Sequence, residues 1–271
     1  MNAWQIDVLY YGKIKIPKSA MTPNLDNDLI IYFPYLGFLL RNNGRNILVD
    51  TGMSEKFIVD GKGWGGWPTE GGSAYVEQAL AKLGLKPDDI ETVIYTHLHN
   101  DHAGNCGLFK KSKAIAQRDE WVNLINPLPD QRLRRDYDPG VIGELSKLNL
   151  YLVDGDIELM DGIKLYKAPG HTLGTQIVAV TMEKGTVVLT SDIFILYCHA
   201  FPYLRELTDI DGNTHLITPP PEVYKMAFPP SIVYDYYAWW DNVNKIKAIA
   251  SRDEPGFIIP GHDPSLLITG I

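Results

Sequence analysis

The sequence predicts an α/β fold of four layers, an α/β/β/α sandwich with two sheets packed face to face and helices outside. Three observations predict it. Two runs of strand-like segments are separated by helical ones. The strands have hairpin and meander character, which argues against an all-parallel open sheet. Several strands run directly into turns that carry histidine or aspartate. The chain has 271 residues, 45% of them apolar, enough for a sizeable core. Layered folds of this length are often one domain, so residues 1–271 read as a single unit.

Residues 4–11 read as the first strand. Residues 29–40, rich in Ile, Tyr, Phe and Leu, form a second, and Asn43-Gly44 is a hairpin signal that folds 46–49 back onto it. Residues 61–72 (GKGWGGWPTEGG) hold too many glycines for a helix or a central strand and read as a mobile loop carrying Trp64 and Trp67. The helical period returns over 74–83, with Gly84 as its stop. A short buried strand at 92–96 delivers the chain into His97. Residues 113–116 form a strand and 118–125 a helix, whereas 126–138 is polar and broken by proline. A second run of strands follows at 150–153, 163–167, 176–181 and 186–190. A long helix spans 232–250, and a last strand at 257–259 runs into Pro260-Gly261-His262.

Composition excludes several function classes. The formal charge is −8, and no block of Lys or Arg interrupts it, which disfavours nucleic acid and anionic membranes as partners. Arg132, Arg134 and Arg135 read as a solvated helix face. The two cysteines, Cys106 and Cys198, make no disulfide framework and read as core thiols. No run approaches the roughly 18 apolar residues of a membrane span, and the opening MNAWQID lacks a signal-peptide pattern, so the expected location is cytoplasmic.

The chemistry concentrates in His97-Leu98-His99-Asn100-Asp101-His102. Three of seven histidines fall within six residues, with an aspartate between them. Imidazole and carboxylate suit divalent ions, zinc first, with iron or manganese as alternatives. At an extended strand end His97 and His99 point the same way, and the next bend turns Asp101 and His102 toward a second position. Four ligands so close strain around one tetrahedral ion, and two ions relieve that. Further ligands are expected at other strand ends, where His171, Asp192 and His262 stand. His199 and His215 have no such setting.

These residues resemble the metallo-β-lactamase superfamily: HLHNDH at 97–102, PGH at 169–171, SD at 191–192 and PGH at 260–262, with DTG at 50–52 as an early turn. The resemblance spans nearly the whole chain. It implies the sandwich independently, and a ligand assignment: His97, His99 and His171 on one ion, Asp101, His102 and His262 on the other, Asp192 between them. The Asp192 bridge and His262 look unlike the cysteine-ligand lactamases. His99, where the di-iron oxidoreductase branch usually has Glu, favours hydrolysis. DTGM at 50–53, HLHNDHAGN at 97–105 and APGHTLG at 168–174 are similar to the quorum-quenching N-acyl homoserine lactone lactonases. That similarity implies opening of an N-acyl homoserine lactone or another small lactone by a hydroxide bridging the ions, with a small-molecule substrate and a homodimer. Asp101 is expected to be both ligand and proton carrier. A glyoxalase II-like thioesterase, or another ester or phosphotriester hydrolase of the superfamily, is the alternative. The chain departs from the lactonases at Ile195, where they carry Tyr; Tyr197 is the nearest substitute. Residues 198–230 are extra chain, expected to reshape the pocket.

Overall fold

The computed structural model describes residues 3–271. Its strands are β1 (Gln5–Pro17), β2 (Ile30–Asn42), β3 (Arg45–Val49), β4 (Thr69–Gly71), β5 (Thr92–Ile94), β6 (Lys113–Gln117), β7 (Asn149–Val153), β8 (Ile157–Met160), β9 (Ile163–Lys167), β10 (Gln176–Met182), β11 (Gly185–Ser191), β12 (Glu206–Thr208), β13 (Thr214–Leu216) and β14 (Ile258–Pro260). The helices are α1 (Ser73–Ala81), α2 (Asn100–Ala103), α3 (Arg118–Ile125), α4 (Pro129–Arg134), α5 (Gly140–Leu145), α6 (Tyr197–Ala200), α7 (Tyr236–Ile249) and α8 (Leu266–Thr269). One sheet has the order β4-β1-β2-β3-β5-β6-β7, and the other β14-β11-β10-β9-β8. Both are mixed: β3, β5, β6 and β7 run parallel, as do β11 and β14, and the remaining neighbours in these two sheets are antiparallel.

Two cores hold the layers, and β2 and β3 divide side chains between them with period two. Tyr35, Leu39 and Leu48 face outward into a core shared with Val76 and Leu80 of α1, Leu124 of α3 and Leu145 of α5. Leu36, Phe38, Leu40, Ile47 and Val49 face inward, toward Ile177, Val178, Val187 and Val188 of the second sheet; Trp239, Val243 and Ile246 of α7 belong to the same cluster. The first sheet is therefore covered on both sides, and the layering is helix, sheet, sheet, helix, as expected.

The hairpin at Asn43-Gly44 forms with φ of 48° and 79°, the left-handed pair that a tight two-residue turn needs. Four expectations need correction. The glycine-rich loop ends in an edge strand: β4 pairs antiparallel with β1, so the segment is tied down at that end. Residues 126–138 contain α4, and β8 adds a strand to the second run. The long helix begins at Tyr236, because Asp235 caps it by accepting from Ala238 N at 3.0 Å. Residues 232–235 are instead spent on the turn around Gly170, which accepts from Tyr234 N at 2.7 Å. Among the described residues no helix is long and apolar enough to cross a membrane.

Candidate metal centre

All seven candidate ligands meet at the carboxyl ends of four strands. His97 and His99 follow β5, and Asp101 and His102 lie in α2. His171 follows β9, Asp192 follows β11 and His262 follows β14. Three overlapping groups have ligand atoms within 4.8 Å of one another: His97, His99 and His171; His97, His102 and Asp192; Asp101, His102 and His262. The two Asp192 oxygens face different sets. Oδ2 is 3.4 Å from His171 Nε2 and 4.0 Å from His97 Nε2. Oδ1 is 3.1 Å from His262 Nε2 and 3.5 Å from His102 Nε2. Asp101 lies 3.8 Å from both His102 and His262. Gly261 makes this approach possible, because a Cβ there would come within 2.6 Å of Asp192 Oδ1.

The outward-facing ring nitrogens are held, which aims the others inward. His102 Nδ1 bonds Asp50 Oδ2 at 2.8 Å. His171 Nδ1 donates to Ile232 O and His262 Nδ1 to Pro34 O, each at 2.9 Å. His97 Nδ1 lies 3.2 Å from the hydroxyls of Thr96 and Ser191. Asp50 in turn accepts from Thr96 N and Oγ1 at 2.8 and 2.7 Å. Asp50 and Ser191 both take a left-handed φ, 62° and 49°, a local strain that the surrounding bonds hold in place. Asp50→Asn is expected to weaken metal affinity roughly 10–100-fold, the usual scale for such supporting carboxylates, as chelator competition would measure.

Electrostatics prepare the cluster for cations. Burial, followed by the charges of His102, His99 and His171, pushes His97 well below its ordinary pKa. Burial and His171 push His99 down to about 3. These rings are neutral, as metal binding requires. Burial also opposes charge on His102 and His262, but Asp192 outweighs it, aided by Asp50 and Asp101 at His102 and by Asp101 at His262, and raises both. The same two rings hold Asp192 well below the usual carboxylate range against its burial. A cation binds these rings only in their neutral form, so metal affinity falls with falling pH.

The residues fit a pair of cations. His97 Nε2 and Asp192 Oδ1 are buried without a hydrogen-bond partner, although such atoms are costly when left unpaired. Nitrogen and carboxylate donors in this number match zinc, iron or manganese. The cluster forms the floor of a cleft walled by Ile14, Ile16, Ala20, Met21, Trp64, Ile195 and Ile232.

Several contributors are not legible in the sequence. Glu120 is fully buried and ties the two histidine loops together, accepting from Leu98 N (2.9 Å), Tyr137 OH (2.9 Å), Thr172 Oγ1 (2.5 Å) and Gly174 N (3.1 Å). Burial raises its pKa against those bonds. Glu120→Ala is expected to cost about 1–3 kcal/mol for each donor left unpaired, read as a lower Tm. Asp136 accepts from Trp64 Nε1 at 3.0 Å and Tyr234 OH at 2.7 Å, and it pairs with Arg134 at 2.9 Å; Arg134 also reaches the Tyr234 hydroxyl. Arg134 therefore braces Asp136, which lines the cleft, rather than standing on a purely solvated face. Trp64 lines the cleft, whereas Trp67 lies against Gly65 of its own loop.

Other expectations change at this point. Tyr197 does not substitute at the cleft. It lines a separate pocket with Cys198, Leu207 and Asp263, and its backbone N donates to Asp263. Residues 198–230 do not line the cleft either. They brace it from behind, since His199 Nε2 bonds Met21 O at 3.2 Å and Met21 is part of the wall. His215 pairs with Asp209 at 2.8 Å, outside the cluster.

The chain belongs to the metallo-beta-lactamase superfamily, whose family model matches residues 33–262, and it is a metal-dependent hydrolase. Within that class it is similar to N-acyl homoserine lactonases. It is 31% identical over 260 residues to N-acyl homoserine lactonase AiiA of Bacillus thuringiensis subsp. kurstaki, covering 93% of this chain and 90% of the relative. It is 34% identical over 136 residues to N-acyl homoserine lactonase AiiB of Agrobacterium fabrum, covering 44% of this chain and 48% of the relative. A solved N-acyl homoserine lactone hydrolase, with N-hexanoyl-L-homoserine bound at its catalytic metal centre, superimposes with a TM-score of 0.72 at 25% identity. The match covers 97% of this chain and 94% of that one.

Proposed function

We propose that this enzyme opens the ring of a small lactone, an N-acyl homoserine lactone or a related one, at a dinuclear centre. The observation that carries the reading is Asp192, whose two oxygens face two separate histidine sets at the floor of an apolar cleft. His97, His99 and His171 would hold one ion, His102, His262 and Asp101 the other, and Asp192 would bridge them. Divalent ions held there supply a water of lowered pKa and a Lewis acid for the carbonyl oxygen.

The chain's own residues do the rest. The apolar wall from Ile14 to Ile232 takes an acyl chain and keeps bulk water from the reacting ester. Asp101 is partly exposed toward the cleft, with side-chain exposure of 22%, so one oxygen can hold metal while the other passes a proton from the nucleophile to the leaving alkoxide. Similarity to N-acyl homoserine lactonases along 93% of the chain supports the substrate class.

A pH-stat screen of the zinc-loaded protein against lactones, thioesters and phosphotriesters tests the reading. Acid release from lactones is expected; turnover of thioesters alone would overturn it in favour of a thioesterase.

A further inference from the structure

Among the described residues, seven buried side-chain polar atoms have no hydrogen-bond partner: the hydroxyls of Tyr11, Tyr35 and Tyr95, His97 Nε2, His99 Nε2, Asn100 Oδ1 and Asp192 Oδ1. Five of them gather at one place. Tyr35, His99, Asn100 and Asp192 line the cleft, and His97 stands in the same cluster. Unpaired buried polarity is rare in folded proteins, and its concentration at a cleft marks groups whose partners arrive with a ligand. His97, His99 and Asp192 belong to the cation site. Asn100 and Tyr35 do not, and they are left over.

The Asn100 amide can be oriented in only one way. Its Nδ2 donates to Arg135 O at 2.8 Å and Asp136 O at 2.9 Å, and an oxygen in that place would face two carbonyls. Oδ1 is therefore the free atom, an acceptor with no donor in the chain. It sits between His99 and Asp101 in sequence, beside the reacting centre. Tyr35 supplies the opposite chemistry. Its ring stands edge-on to His262, with centroids 6.3 Å apart, and it lines the cleft together with Asp101. The Tyr35 hydroxyl has no hydrogen-bond partner in the chain, and the Thr69 hydroxyl spends its proton on Trp67 O. A phenol, with an ordinary pKa near ~10, is a donor at neutral pH. The other tyrosine hydroxyls around the site are engaged: Tyr137 with Glu120 and Tyr234 with Asp136.

We propose that Asn100 Oδ1 accepts a hydrogen bond from an N–H of the substrate while Tyr35 donates one to a substrate oxygen that gathers charge. On this proposal, which rests on the lactone-opening reading, Asn100 is the group that reads the N–H of an acylamino substituent next to the attacked carbonyl. A bare or acyloxy-substituted lactone would leave Asn100 unpaired.

The test compares two lactones of equal chain length, one α-acylamino and one α-acyloxy, with the zinc-loaded wild type, Asn100→Leu and Tyr35→Phe. The wild type is expected to favour the acylamino lactone at least about 10-fold in kcat/KM, and Asn100→Leu to bring the two together. Tyr35→Phe is expected to lower kcat on both by roughly 10–100-fold, with zinc content unchanged and Tm no lower, because the lost hydroxyl has no partner in the folded chain. Equal wild-type kcat/KM for the two lactones, or a preference that survives Asn100→Leu, overturns the Asn100 assignment and leaves lactone opening intact. Unchanged kcat in Tyr35→Phe overturns the Tyr35 assignment. A wild type that opens neither lactone removes both readings. If Asn100→Leu fails to fold, Asn100→Ser takes its place, with the same loss of preference expected and a retained preference overturning the Asn100 assignment.

Discussion

Asp192→Asn is expected to reduce lactone turnover on the order of 10³-fold or more, at or beyond the upper end of what losing one transition-state stabiliser costs. Bound metal should fall from two ions per chain to one or fewer. Asparagine keeps the shape but replaces one carboxylate oxygen with an amide that donates. The two Asp192 oxygens reach opposite histidine sets, at 3.4 Å toward His171 and 3.1 Å toward His262. An N–H₂ on either side would meet a cation where an anion stood. The substitution also removes the negative charge that faces His102 and His262. Metal analysis alongside a progress curve checks this; a variant with two ions and wild-type kcat would contradict it.

The second large effect is expected at Asp101. Asp101→Asn should lower kcat by about 10²–10⁴-fold, the range for losing a general acid–base group. Circular dichroism and Tm should stay near wild type. The residue is the first in the cluster's short helix after Asn100 and lies at 3.8 Å from both His102 and His262, so its carboxylate bears on one histidine pair only. The fold does not depend on it. Near-normal turnover in this variant would remove Asp101 from the proton path.

These residues were legible in the sequence for a physical reason. Histidine and aspartate at strand ends stand in a local pattern, and the strand before each one shows as a short apolar run. The layers were legible too, because β2 and β3 are buried on both faces while α1 carries one apolar stripe. What escaped acts across long chain separations. Glu120 reads as an ordinary polar residue of a helix, and only folding brings it beneath Leu98 and Thr172. Tyr35 reads as one more aromatic residue in an apolar strand. Asn100 looks like a spacer between ligands, and its meaning depends on two carbonyls contributed by residues 135 and 136. Tyr197 illustrates the opposite error, since nearness in sequence to Asp192 does not place it in the cleft; the turn after β11 carries it to the other side of Ile195 and Leu196. The helix start at Tyr236 was hidden because Ile232 and Val233 run apolar into the helix, yet residues 232–235 give their backbone to His171 and Gly170.

Titration of chelator-treated protein with zinc, with lactone opening followed by pH-stat, tests the central claim most directly. Two ions per chain are expected, with turnover recovered as the pair fills. Full turnover in the metal-free protein, or saturation at a single ion with full activity, would contradict a dinuclear centre built on Asp192.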